Sequence, residues 1–372
     1  MKCSQISSQQ PTLAPAPTER GRISRRQMLA GMAALGATAL GAVGRARAQS
    51  AAAGTGAAQH GRIIDVHHHM LPPKYVKAVH QALSHETPPI PRVMNWTPAH
   101  SLEEMDRNGV ATAVISVSTP GVWFDNVGQA RRLARECNEY GAKLGQDHPG
   151  RFGLFAATPL PDTQGSLREI EYAMDSLHAD GVGLLTNYDG KHLGDRKFWP
   201  VYEELNRRKA VVYVHPTSLA GCMTPVPGTT IALIEFPTDT TRTITDLIYS
   251  GTLTRYPNIQ FIFSHGGGSM PMLAHRIFGG LEGQHRLKPS DQGFPPELRR
   301  LHYDTASITN PPAMTALLKM VPASQVLFGS DYPWGLIGPT ERQLVGLNLT
   351  DDQVADIEYR NAHQLFTRFQ AG

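Results

Sequence analysis

From Arg62 onward the chain alternates eight short apolar runs with longer stretches of helical periodicity, and that rhythm leaves few architectures open. The runs are Ile63–Val66, Ala113–Val117, Phe152–Ala157, Gly181–Leu185, Val211–Val214, Gln260–Ser264, Leu301–Asp304 and Val326–Gly329. Most are series of Val, Ile, Leu or Phe, too short for helices and without the apolar–polar alternation of a strand that has one wet face. Strands of this kind belong in a parallel sheet buried on both sides. Between them Ala130–Leu144, Leu167–Leu177, Trp199–Arg208, Thr240–Tyr249 and Pro312–Met320 space their apolar residues as helices do. Eight such units over about 310 residues predict an α/β fold, a (β/α)8 TIM barrel occupying residues 62–372. Two stretches interrupt the alternation. His85–Asn95, with Pro88, Pro89 and Pro91, reads as a loop over the top of the barrel, and Gly279–Pro296 as a second insertion of the lid or binding-loop kind. No internal repeat is evident.

The segment ahead of the barrel has a different composition. Ser24-Arg25-Arg26 precedes a stretch from Met28 to Gly44 made almost wholly of Ala, Gly, Leu, Met and Val, and Ala46-Arg47-Ala48 follows it. An arginine pair, a short apolar core and a small-residue cleavage pattern predict a twin-arginine signal peptide over 1–48, with Gln49 as the new N-terminus. The stretch is short and weakly apolar for a membrane span. Residues 49–61 read as a flexible linker, and the expected location is the periplasm or the medium, with no stable membrane insertion after cleavage. The signal holds seven of the 35 Lys and Arg and one of the 32 Asp and Glu, leaving 28 basic and 31 acidic residues, a net charge of −3. The alkaline character therefore belongs to the signal, and no nucleic-acid partner is implied. Only Cys137 and Cys222 survive cleavage, too few for a disulfide framework.

Chemistry gathers where the runs end. Asp65-Val66-His67-His68-His69 closes the first, and alternation along a strand puts His67 and His69 on one side and His68 on the other. Two imidazoles so spaced suit zinc or a related divalent ion, although the same pattern also describes a solvated polar strand end. Asp65 is a candidate acceptor for a ligand's ring N–H. Later runs end in His215-Pro216, in His265-Gly266-Gly267-Gly268, and in Gly329-Ser330-Asp331-Tyr332-Pro333. Any one of these is compatible with a satisfied core residue. Together they put five polar groups at the C-terminal ends of strands one, five, six and eight, where barrel active sites lie. The glycines after His265 are no phosphate loop, since no G-K-[ST] follows; they are expected to let backbone approach metal or substrate closely.

This set, D-x-H-x-H, V-H-P, S-H-G-G-G and F-G-S-D-Y-P, resembles the amidohydrolase superfamily and its metal-dependent-hydrolase type of barrel. The likeness runs from Ile64 to about Leu365 and includes Met105-Asp106-Arg107-Asn108-Gly109-Val110 and Arg151-Phe152-Gly153-Leu154. It is nearest the branch of α-amino-β-carboxymuconate-ε-semialdehyde and 6-methylsalicylate decarboxylases. The resemblance implies one divalent metal ion on His67, His69, His215 and Asp331, zinc by default with manganese as the alternative. It leaves His265 as an unliganded catalytic residue, with Asp331 also able to exchange a proton. Strand four reads Gly183-Leu184-Leu185-Thr186-Asn187, without the bridging lysine of the dinuclear members. Arg276 matches a position that holds substrate carboxylate across a homodimer interface, against the alternative of a solvated helix arginine. The family's second carboxylate arginine has no match in register, Arg92 being nearby, which argues for a monocarboxylic substrate.

A metal acting as Lewis acid and a proton donor are what decarboxylation needs. With water at the ion, the same residues describe a hydrolase or hydratase of a lactone or ring-cleavage product, and residue chemistry does not choose between them. The branch favours a decarboxylase of a small hydroxylated aromatic or unsaturated carboxylic acid. A periplasmic binding protein without turnover is the non-enzymatic alternative, and it leaves His265 without a purpose. Tyr188 and Trp123 are candidates for stacking on an aromatic ring, while Tyr332 and Trp334 are expected to shape the loop around Asp331.

Overall fold

Ile63–His69 forms the first strand, β1, longer than expected because all three histidines stay in the extended run. The computed structural model describes residues 62–86, 90–217, 226, 229–279 and 294–369. The expected signal peptide, the linker and most of the Gly279–Pro296 insertion lie outside them, as does Cys222. Seven more strands follow: β2 (Val110–Ser116), β3 (Phe152–Ala157), β4 (Gly181–Leu185), β5 (Val211–His215), β6 (Gln260–Phe263), β7 (His302–Asp304) and β8 (Val326–Leu327). Each pairs in parallel with the next. The ring closes between β1 and the chain after β8. Val66 N–H donates to Phe328 O at 3.0 Å, Asp331 N–H to His67 O at 2.8 Å, and His69 N–H to Tyr332 O at 2.7 Å. The barrel is thus stitched shut at the residues expected to carry the chemistry.

The two faces of the strands feed two cores. Ile64, Val66, Val114, Phe155, Val211, Tyr213, Ile262 and Leu327 fill the barrel with Ala362 of the helix Asn361–Leu365 and Phe366 just after it. Their neighbours Ala113, Ile115, Leu154, Val212, Val214, Phe261 and Phe263 pack outward among the helices. Phe155 stacks on Tyr213 at 5.1 Å, and burying a ring this fully stabilises by roughly 1.5–3 kcal/mol.

The helices that bear on the site are α1 (Pro73–Glu86), α2 (Pro91–Met94), α3 (Pro98–Arg107), α4 (Val127–Asp147), α5 (Thr163–Asp175), α6 (Trp199–Arg207) and α7 (Glu235–Tyr249). Side-chain caps from Thr97, Asn126 and Asp162 start α3, α4 and α5. The proline-rich segment is not wholly a loop. Its beginning extends α1, and Pro91 opens the single-turn α2 from the first helical position, where a missing N–H costs nothing. A hairpin, Asn187–Tyr188 with Lys191–His192, stands outside the barrel after β4. No described helix is long and apolar enough to cross a membrane.

Candidate active site

A register shift in β1 between Asp65 and His68 sets up the site. Ile64 and Val66 face the barrel interior, yet His67 and His69 also reach the common centre, so alternation is interrupted after Val66. Their Nε2 atoms come within 3.1 Å of each other. His215 ends β5 and donates Nδ1–H to Pro216 O at 2.8 Å, which frees its Nε2. Asp331 follows β8 in the left-handed conformation, φ 64°, and its Oδ1 lies 3.1 Å from both His67 Nε2 and His69 Nε2. One ligand atom from each of the four residues falls within 4.8 Å of all the others.

This donor set fits a divalent cation. Ring nitrogens and a carboxylate oxygen turned on one point repel unless a positive charge lies between them. Ligands about 2.1 Å from a tetrahedral ion stand about 3.4 Å apart, close to the spacing here. Proton affinities agree. Burial opposes charge on His67, but Asp304 and Asp331 outweigh it and raise its pKa to about 10. Burial lowers His69, and it holds His215 well below the ordinary range with help from the neighbouring imidazoles. Burial pushes Asp331 up, but His67 and the bonds to His67 and His69 hold it well below the usual carboxylate range. The cluster is therefore two neutral imidazoles, an ionised carboxylate and one ring that retains a proton.

His265 stands beside this cluster and outside it. Its Nδ1 donates to Ala306 O at 3.1 Å, leaving Nε2 3.9 Å from Asp331 Oδ2. His265, Gly266, Gly267 and Gly268 all have positive φ. The glycines chiefly permit close approach to protein rather than to substrate. A Cβ on Gly266 would meet Ile308, one on Gly267 the Tyr303 ring, and one on Gly268 would lie 2.2 Å from Pro237 O.

Other expected roles change. Asp65 accepts no proton from a ligand ring, because the register shift turns it to the same side as His68. Its oxygens take the backbone N–H of His67 and Ser330, the Ser330 hydroxyl at 2.6 Å, and His68 Nδ1 at 3.2 Å. His68 also meets Ser101 Oγ on α3, a structural placement as expected. The residue that meets a ligand ring is Asp304 at the end of β7, with Oδ2 2.9 Å from His67 Nδ1. That contact is close but poorly aligned for a hydrogen bond, so charge carries it. Asp304 stood at a strand end in the sequence, and that position was its one signal. Ser116 Oγ serves His69 Nδ1 at 3.1 Å. Tyr188 is buried behind the site with its hydroxyl accepting Leu185 N–H, and neither it nor Trp123 lines the substrate cavity. Trp334 does line it, with its ring edge on His69 at 5.2 Å. Arg92 holds the loop beyond Asp331 by donating to Pro333 O and Trp334 O, both at 2.5 Å. Arg276 is exposed on the helical turn His275–Gly279, away from the described lining.

The cavity measures about 510 Å³, within the range of small-molecule sites. His215, His265 and Asp331 line it, and Leu83, Ile90, Leu233, Phe236, Ile308 and Trp334 supply apolar wall. Among the described residues no lysine or arginine lines it.

Known proteins match this chain along the barrel. The family profile described as Amidohydrolase covers residues 64–368. Decarboxylase yanB of Aspergillus niger is 38% identical over 82% of this chain and 88% of its own. The 6-methylsalicylic acid decarboxylase of Penicillium expansum is 38% identical over 73% of this chain and 84% of its own. Among solved structures, 5-carboxyvanillate decarboxylase from Novosphingobium aromaticivorans, complexed with manganese and 4-hydroxy-3-methoxy-5-nitrobenzoic acid, superposes with a TM-score of 0.74. It is 20% identical, and the match covers 84% of this chain and 98% of that one.

Proposed function

Since this chain belongs to the amidohydrolase family, we propose that it is a metal-dependent decarboxylase of a small hydroxylated aromatic monocarboxylic acid. The observation that carries the reading is the pairing of a four-ligand cluster with an unliganded imidazole on the wall of a largely apolar cavity. Relatives named as decarboxylases support it over the hydrolase reading.

His67, His69, His215 and Asp331 would hold the divalent ion, which would supply Lewis acidity beside the substrate carboxylate. The protein supplies the rest. Phe236, Ile308 and Trp334 keep water from the ring and favour release of neutral CO2 over retention of a charged carboxylate. As the bond to the carboxylate breaks, its electron pair stays on the ring carbon, which must take one proton. His265 Nε2, left bare because Nδ1–H is committed to Ala306 O, can take up the substrate's hydroxyl proton and then deliver it to that carbon. Asp331 turns Oδ1 to the ligand cluster and Oδ2 toward His265, the position from which a proton can be exchanged.

The histidine-rich donor set favours zinc, and manganese remains the competitor that metal analysis of the purified protein would identify. Residues 1–48 are read as a twin-arginine export signal, to be tested by N-terminal sequencing of periplasmic material. Arg276 is read as holding substrate carboxylate from a second copy of the chain. For the reaction itself, the mature protein is incubated with a panel of hydroxylated benzoic acids. Stoichiometric CO2 and the corresponding phenol are expected; a hydrolysed or ring-opened product without CO2 would sink the proposal, as would binding without turnover.

A further inference from the structure

Asp304 is fully buried at the end of β7 and belongs to neither the ligand cluster nor the cavity lining. Its carboxylate nevertheless meets both halves of the machinery. Oδ2 lies 2.9 Å from His67 Nδ1 and accepts the Tyr213 hydroxyl at 3.1 Å. Oδ1 accepts the backbone N–H of His265 at 2.9 Å and of Ala306 at 3.0 Å. Ala306 is the residue whose carbonyl takes the Nδ1 proton of His265. Gly329 makes the room, since a Cβ there would lie 2.8 Å from the Cβ atoms of both Asp304 and His67.

From this we infer that Asp304 is the positioning residue that sets both imidazoles at once. The charge of one oxygen favours the His67 proton on Nδ1 and so leaves Nε2 bare toward the metal position. The other clamps the left-handed turn at His265 together with Ala306, which keeps the His265 proton on Nδ1 and its Nε2 open to the substrate. Three hydrogen-bond donors and the charge contact with His67 Nδ1 engage both of its oxygens. An amide fails in either orientation, because its NH2 must confront the ring N–H of His67 or the two backbone N–H groups. The role deepens the decarboxylase reading and, for its effect on turnover, rests on it.

The test compares wild type with Asp304→Asn. Chelator competition reads Zn2+ affinity, and steady-state kinetics at saturating Zn2+ read kcat and KM on the hydroxybenzoate the wild type turns over best. Affinity is expected to fall by about 10–100-fold. With the site filled, kcat is expected to fall at least about tenfold while KM stays within about threefold, because the proton donor is displaced and the cavity is not. Nitrogen-15 NMR of histidine-labelled, zinc-loaded wild type needs no folded variant, and is expected to show His67 and His265 both protonated at Nδ1. Affinity and kcat each within threefold of wild type would overturn the role, as would a His265 with no proton on Nδ1. If wild type turns nothing over, the proposed reaction fails, but the affinity and NMR arms still judge Asp304.

Discussion

Removing the metal leaves a proton behind, and that proton can be counted. In the metal-free cluster the buried carboxylate of Asp304 and the half-buried one of Asp331 face three imidazoles, and only His67 is raised, to about 10. His69 and His215 are lowered, chiefly by burial, and enter the cluster neutral. Loading a divalent ion must therefore expel about one proton at any pH below 10. Apparent affinity then rises tenfold per pH unit, or about 100-fold between pH 7 and pH 9, and levels off above 10. Zn2+ affinity is measured by competition with a chelator of known pH dependence, and proton release by calorimetry in buffers of different ionisation enthalpy. A pH-independent affinity would mean that His67 is already neutral, and a hundredfold change per unit would mean that a second histidine is protonated; either result refutes the charge assignment. Stability follows the same sign. A raised histidine stabilises the folded state fully below its unfolded pKa, near 6.5, and loses that contribution as pH climbs through the folded value. The metal-free protein should melt at progressively lower temperature from pH 7 to pH 10, with the loaded protein much less affected.

Three further expectations can be checked directly. His265→Asn should lower kcat by about 10²–10⁴-fold with metal content unchanged, and a loss under tenfold would remove His265 as proton donor. Gly268→Ala places a Cβ 2.2 Å from Pro237 O at φ 67° and should cost about 2 kcal/mol or more, read as a shift in denaturant midpoint. Arg276→Ala should raise KM with little change in kcat if a second copy brings it to the carboxylate; a monomer by light scattering with unchanged KM would make it a solvated arginine.

The alternation of apolar runs was enough to read the barrel, because strands buried on both faces and helical crossovers leave a distinct pattern in sequence. The positions of His67, His69, His215 and Asp331 were legible for a related reason: each lies at or shortly beyond the C-terminal end of a strand, and those ends meet at one mouth. Which carboxylate would serve a ligand ring was not legible. Simple alternation puts Asp65 on the side of His67, and the β1 register shift that turns it away leaves no mark in residue type. Asp304 was hidden for the complementary reason, since an aspartate closing a strand looks the same whether it caps a turn or orients an imidazole. The Pro91 turn was missed because proline count alone argues for a loop, whereas one proline at the first helical position favours a helix. Arg92 reads as out of register for substrate, and its guanidinium is indeed spent on the carbonyls of Pro333 and Trp334.

The cavity wall divides by origin. His215, His265 and Asp331 come from strand ends bound into the barrel's own closure, and the left-handed run from His265 to Gly268 admits almost no substitution. Leu83, Ile90, Ala232 and Leu233 come from segments outside the barrel strands that carry none of the ligands. Inheritance and engineering meet different resistance on the two sides. New ring substituents can be accommodated by redrawing the outer segments one residue at a time, while the proton-handling floor resists change.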